Sequence, residues 1–452
     1  MSQRTILFLS ILLVFCLPQV HAANLAELVA TALERNLSLK ISELEIEQSF
    51  IDEKKSFNAM VPDVNFIINK THKDFKDAYQ KSSPGSIDSM LTYALKLTQS
   101  YPGLGRIPLI QKEITQLKTR MKKIYKENQK KLVLRNLTQI YFKMVRDQEL
   151  IKIHETDLAL IAALMKVAKL NEELGLVLHN DILRIEVEQL NSNTELIKAQ
   201  NSLGDLKYDL AAILDNQDPE AMKLDLAKGL KFAPASYTCA ELLEELFKID
   251  NDINLARNDL KILNKTVRSA RSANLPTLTI DASYNHGREI GPIEGTKDFT
   301  TTFMLTTPVY NGNDIENAVR LAQKSEEIVK LRVQDLSNSK KAILEKAVAD
   351  YNEALSRISF AEKMVEQSYE NMRIVFTRYQ EGASSIVELV DAQRLLTNSS
   401  QTAIKAYYDE RERLAEILLI MHRFDEIAKL DENASPLNTD FLMQALNIGA
   451  EK

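Results

Sequence analysis

Two hydrophobic rhythms run along this chain, and each occurs twice in the same order. From Leu109 to about Glu173, apolar residues recur three and four positions apart: Ile110, Ile114, Leu117, Met121 and Ile124, then Leu137, Ile140, Met144, Ile151, Leu158, Ile161, Met165 and Ala168. The spacing returns at Val329, Val333, Leu336, Ile343, Ala347, Tyr351, Ala354, Ile358, Ala361, Val365, Met372, Val375 and Tyr379. This is the period of a coiled-coil seam, and it predicts long helices over 107–173 and 313–380. Proline is absent from 109–218 and 309–435, so no ring interrupts either helix. At 1.5 Å per residue, each would extend ~100 Å.

Both long helices stop at a glycine, Gly175 in the first half and Gly382 in the second. Glycine just past a helix end supplies the left-handed backbone that closes the last turn. Asn180 or Asp181, and Ser384 or Ser385, are placed to cap the returning helices. The returns are expected to run to about 214 and 424, so each half forms an antiparallel helical hairpin with a glycine tip.

The second rhythm has period two. Strands are predicted over about 63–69, 90–100, 277–286 and 299–309, with Pro62, Pro276, Pro308 and Gly312 at their boundaries. Leu278, Ile280, Ala282 and Tyr284 share one face, with Thr277, Thr279, Asp281, Ser283 and Asn285 on the other. Phe299, Thr301, Phe303, Leu305 and Val309 continue the apolar face, opposite Thr300, Thr302 and Thr306. In the first half, Val64, Phe66 and Ile68 pair with Leu91, Tyr93, Leu95 and Leu97, against Thr92, Lys96 and Thr98. Polar loops at about 70–88 and 287–298 join the members of each hairpin.

The two halves superpose as sequences. Residues 25–66 lie on 239–280 at an offset of 214, placing Ala26-Glu27-Leu28 on Ala240-Glu241-Leu242, Ala59 on Ala273 and Pro62 on Pro276. A duplicated unit is an architectural signal. The expected organisation is a first repeat over 23–238, closing in a connecting segment 215–238, a second repeat over 239–425, and a tail 426–452.

Strands apolar on one side fit either a half-buried sheet or a barrel wall in lipid. Helices that continue the strands end to end are not placed to cover the apolar face, so lipid is the expected neighbour. Four strands cannot close a membrane barrel, since the smallest have about eight. An open edge in hydrocarbon costs several kcal/mol for each unpaired backbone group. Copies of the chain must therefore pool their strands: two would give eight, three would give twelve and leave a lumen. The fold class expected is mainly α with a membrane β-barrel, and three copies are favoured. The competing expectation is a soluble periplasmic coiled-coil scaffold or adaptor.

Composition narrows the choice. Residues 1–22 have a basic start at Arg4, an apolar stretch and a small residue at Ala22, the pattern of a cleavable secretory signal. Cys16 lies within that stretch, and its removal would leave Cys239 as the only cysteine. A net charge of −6 argues against a nucleic-acid partner. No later run of apolar residues is long enough for a transmembrane helix. Tryptophan is absent, so an interfacial girdle would draw on Phe66, Phe75, Tyr93, Tyr284, Phe299, Phe303 and Tyr310. The histidines have no metal-ligand spacing, and no Walker, zincin or nucleophile-elbow pattern occurs, so neither a cofactor nor an enzyme activity is expected. His179, in the first tip, is the one histidine placed to sense pH there.

With these features in hand, the chain resembles the TolC family of outer-membrane efflux and secretion channels. Leu275-Pro276-Thr277-Leu278, Pro308-Val309-Tyr310-Asn311-Gly312, Arg378-Tyr379-Gln380-Glu381-Gly382 and Val390-Asp391-Ala392-Gln393 carry the resemblance, which covers about 24–425. It implies a homotrimer with a twelve-stranded outer-membrane barrel and a periplasmic helical tunnel. It also implies a periplasmic adaptor docked at the tips and an inner-membrane transporter of RND, ABC or MFS type. By the same resemblance, Glu388 and Asp391 ring the closed aperture, and Asp181 and Tyr379 take part in hydrogen bonds that hold the tips shut. Ser384 stands where some family members carry a latching arginine.

Overall fold

Asn24 opens the first helix by accepting the Glu27 amide at 3.0 Å, a side-chain N-cap. The computed structural model in which this is seen describes residues 24–72, 89–175, 177–215, 239–289 and 297–430. The predicted signal, Phe75, most of the 70–88 loop, all but the first residue of 215–238, and 431–452 lie outside the described residues.

Helices α1 (Leu25–Arg35) and α2 (Leu37–Asn58) lead to strands β1 (Asp63–His72) and β2 (Ser89–Tyr101). Then come α3 (Arg106–Glu173) and α4 (His179–Ile213). The second half repeats the order as α5 (Cys239–Ile249), α6 (Asn251–Ser272), β3 (Thr277–Glu289), β4 (Lys297–Thr306), α7 (Asp314–Gln380) and α8 (Ile386–Ile420). A short α9 (Phe424–Ala428) follows. The bounds of α1 and α2 fall on those of α5 and α6 at the offset of 214, and α4 falls on α8 at 207.

That correspondence includes a break the hydrophobic pattern had not marked. The entry helix of each half divides at one residue, Asn36 in the first and Asp250 in the second. Asn36 leaves the helical conformation with ψ 125°, and its side chain donates to the Ile213 carbonyl at 2.9 Å while accepting the Ser38 amide. Asp250 is buried and lies 3.2 Å from the Lys340 ammonium.

Some element ends and one seam position differ from the sequence expectation. Strand β4 stops at Thr306, not 309, leaving Pro308 and Val309 outside the ladder. Proline has no amide proton to donate to a ladder. Helix α8 ends at Ile420, short of 424, and α9 begins separately. In the α7 seam, Ile343 is 49% exposed and Leu344 is fully buried in its place. A helix drifts against a strict seven-residue repeat, which moves such a position to its neighbour.

The chain divides into two compact units, each drawing on both repeats. One comprises Met1–Lys40, Asn128–Asp250 and Lys340–Lys452, and the other Ile41–Glu127 and Asn251–Ser339. The core of the first includes Leu134, Leu137, Tyr141, Phe142, Met144, Ile161, Tyr351, Leu389, Leu396 and Tyr408. In the second, α2 lies against α3: Lys122 pairs with Glu45 at 2.9 Å, Lys126 with Glu43 at 2.6 Å, and Thr119 Oγ1 donates to the Ser49 carbonyl.

The second unit also holds the sheet, in the order β1-β2-β3-β4 with every neighbour antiparallel. Its register opposes Phe66 to Leu95, Leu95 to Tyr284 and Tyr284 to Phe299, so one apolar row crosses all four strands. Among the described residues no helix is long and apolar enough to cross a membrane.

Candidate functional site

The apolar face of the sheet is bare. Phe66, Phe299 and Phe303 are 66%, 71% and 70% exposed, with Val64, Ile68, Leu95, Tyr284 and Leu305 also open on that side. The opposite face is polar and self-paired. Thr98 Oγ1 donates to Asp281 at 2.8 Å, Lys96 lies 3.5 Å from the same carboxylate, and Asn285 donates to Asp298 at 3.1 Å. The boundary residues Pro62 and Pro276 stand immediately before β1 and β3. Pro308 and Gly312 lie in the irregular stretch between β4 and α7.

In the other unit, Gly175 and Gly382 both have φ +72° and close the two tip turns. The Ala383 amide reaches back to the Arg378 carbonyl at 2.8 Å, and the Gly382 amide to Tyr379 at 3.1 Å. This pair of bonds finishes a helix whose next residue is left-handed.

The first tip places Asp181 at the start of α4, where its carboxylate accepts the Leu178 amide at 3.2 Å. A negative charge there also meets the positive end of the helix dipole. The His179 ring nitrogen lies 3.0 Å from Glu172. Tyr379, in the last turn of α7, is buried. Burial raises its hydroxyl pKa; Asn171 opposes the shift and the Asp181 charge adds to it. Asp181 and Tyr379 are therefore brought into one electrostatic neighbourhood within a single chain.

The second tip places Glu388 in the first turn of α8, its amide donating to Ser385 Oγ at 3.3 Å. The Ser384 hydroxyl donates to the Glu388 carboxylate. Asp391 lies one turn on, and both acids are exposed. Positions three apart share a helix face, so the two carboxylates form one acidic strip.

Two features join residues far apart in the sequence and have no local signal. Arg394 lies 4.0 Å from Asp391 and 2.6 Å from the nearly buried Glu188 on α4. The Arg394–Asp391 spacing was legible as a helical pair, but the partner on α4 was not. Asp157, 2% exposed on α3, accepts from Ser192 on α4 at 2.7 Å and from Gln393 and Thr397 on α8. One buried carboxylate on α3 thus gathers donors from two other helices. Close by, burial lowers the pKa of His154, against the raising effects of Asp157 and Glu195, while Lys405 lowers it further.

Residues 242–421 match the sequence profile of the family described as Outer membrane efflux protein. Over 427 residues the chain is 23% identical to Outer membrane protein TolC of Vibrio cholerae, covering 92% of this chain and 94% of that protein. Among solved structures, the Campylobacter jejuni CmeC outer membrane channel aligns with a TM-score of 0.78 at 14% identity, over 91% of this chain and 90% of that one. The open state of the Neisseria gonorrhoeae MtrE outer membrane channel aligns with a TM-score of 0.72 at 19% identity, over 88% of each. A duplicated helical hairpin and a sheet with one bare apolar face are the fold that this chain shares with those channels. The chain is similar to the TolC-type outer membrane efflux proteins, whose family profile it matches over residues 242–421, and it serves as an efflux duct in the outer membrane, with its helical part in the periplasm. The comparisons lend no support to a soluble scaffold.

Proposed function

We propose that three copies of this chain assemble into one duct, pooling twelve strands into a closed barrel. The observation that carries the proposal is the sheet, which has an apolar face open to the surroundings and two unpaired edges at β1 and β4. Each large apolar side chain left in water forgoes about 1.5–3 kcal/mol, and each open edge is worse still in lipid. Lipid around the apolar face removes the first cost and closure among copies the second, and a twelve-stranded wall leaves a lumen lined by Thr, Ser, Asn, Asp and Lys.

The other unit supports the same assembly. Helix α4 buries Ile182 and Ile185 on one side, while Leu183, Val187, Leu190, Ile197 and Tyr208 are exposed on another. Leu183, Val187, Leu190 and Ile197, at spacings of four, three and seven, form a second seam suited to a helix of a neighbouring copy. In the trimer, Glu388 and Asp391 contribute six carboxylates around the tip aperture, a ring that favours cations. Asp181 and Tyr379 help hold the closed tip, and the Gly175 and Gly382 turns meet a periplasmic adaptor. That adaptor recruits an inner-membrane transporter of RND, ABC or MFS type. The duct is passive: the pump supplies the energy, and no bond is made or broken in the channel.

Reconstituting the purified protein in planar bilayers tests this. Discrete, cation-preferring conductance steps are expected; a bilayer that stays silent at saturating protein contradicts the duct.

A further inference from the structure

Where the sheet gives way to helices, the second unit holds a cavity of about 440 Å³ lined by Arg106, Arg268 and Arg271 together with Leu109, Ile110 and Leu275. Two turns of backbone bring these arginines together. The loop after β2 carries Gly103 and Leu104, and the Leu104 amide donates to the Pro276 carbonyl at 2.8 Å. Gly103 comes so close to the end of α6 that a Cβ there would lie 2.7 Å from the Ser272 carbonyl oxygen. The start of α3, with Arg106, is thereby pinned beside the end of α6, with Arg268 and Arg271.

The charges in this cavity do not cancel. Its one lining acid, Glu113, accepts from Lys265 and also feels Arg268, one carboxylate against four cations. Glu326, whose carboxyl also feels Arg271, lies 2.8 Å from Lys330. Among the described residues, none of the three arginines is in an ion pair. Three guanidinium groups around one hollow suit a phosphate, which they engage in paired hydrogen bonds.

The surroundings supply the rest of the chemistry. Leu109 is exposed at the rim, and Leu275 lies two residues before β3, whose Leu278 and Ile280 belong to the apolar face. A ligand with its phosphate on the arginines would have bare apolar surface at hand for acyl chains. We propose that this cavity binds the anionic headgroup of a glycerophospholipid at the membrane surface from which the helices emerge. The proposal rests on the sheet being embedded in lipid. Basic pockets at such a boundary are general recognition sites for anionic headgroups. Bound there, the lipid would bridge α3 and α6 and set the depth of the barrel.

Native mass spectrometry of the full-length purified protein, offered equal amounts of dioleoylphosphatidylglycerol and dioleoylphosphatidylcholine, provides the test. The wild type is expected to retain the phosphatidylglycerol about tenfold more, a modest return from three arginines. An R106Q/R268Q/R271Q variant should retain both alike, whereas R373Q, at an exposed ion pair in the other unit, should keep the preference. Equal retention by the wild type overturns the proposal whether or not the triple variant folds, as does a preference that survives in a folded triple variant. Inorganic phosphate that displaces the lipid at equimolar concentration would mean a plain anion site, which also overturns it. Failure of the protein to enter lipid nanodiscs at all would instead strike the membrane assignment, and the lipid site would fall with it.

Discussion

Arg394 on α8 grips Glu188 on α4, with Nε and Nη2 both donating to one carboxylate oxygen at 2.9 and 2.6 Å. The pair ties the returning helix of the first repeat to that of the second, one turn beyond Asp391. Glu188 is nearly buried and Arg394 half-exposed, and the pairing holds the guanidinium pKa up. Arg394→Ala should therefore strand a carboxylate at a cost of about 1–2 kcal/mol, discounted because solvent screens the arginine. Faster hydrogen exchange in α4 and α8 near the tips is expected. Unchanged exchange would show that the pair does not hold the hairpins together.

The acidic strip itself predicts ion preference. Glu388→Gln combined with Asp391→Asn should remove most of the cation preference in planar bilayers, because the proposed ring would lose its charge while keeping its shape. Ser384→Ala removes the hydroxyl that Glu388 accepts from and should leave cation preference equal or higher. A loss of preference with Ser384→Ala would place the selective charge elsewhere.

Asp157→Ala takes the acceptor from Ser192, Gln393 and Thr397 together. Leaving buried donors unmet costs about 1–3 kcal/mol each, so a drop of at least several degrees in the unfolding temperature of this unit is expected. Asp157→Asn keeps one acceptor oxygen and should lose less. Equal losses for the two variants would mean that volume, rather than hydrogen bonding, is what the site needs.

His154 gives a pH dependence with a definite sign. Its folded pKa lies below the usual value of 6.5 because burial disfavours the charged ring. The stability it contributes is then present above 6.5 and is lost as pH falls through the lower, folded value. His154→Gln should flatten the fall in melting temperature over that acidic window. The same slope in both proteins would assign the acid sensitivity to other groups.

Much of this was legible because periodicity is a direct record of burial. The helices, the glycine tips and the strand faces all follow from residues three, four or two apart. What stayed hidden depended on partners distant in sequence. Asn36 breaks its helix to reach Ile213, and Asp250 breaks its own beside Lys340. Asp157 finds donors on two other helices, and no local spacing announces them. Ile343 and Leu344 exchange places because the actual helical repeat drifts from an ideal seam. The aperture role proposed for Glu388 and Asp391 comes from resemblance. Their spacing gives a shared face, but only an assembled ring would make them a filter.

On the sheet, Ile280→Arg or Leu305→Arg should sharply reduce membrane insertion, since a lipid-facing arginine costs about 2–4 kcal/mol near the bilayer midplane. The register sets Ile280 opposite Phe303 and Leu278 opposite Leu305, on the exposed apolar side. Normal insertion of both variants would reverse the orientation of the strands.

The most direct test of the whole account is the mass of the purified full-length protein with and without detergent, by light scattering corrected for bound amphiphile. Three chains per particle in detergent, and aggregation once it is withdrawn, is the result expected of strands that close only together and face lipid. A single, monodisperse chain that remains in plain buffer would contradict it.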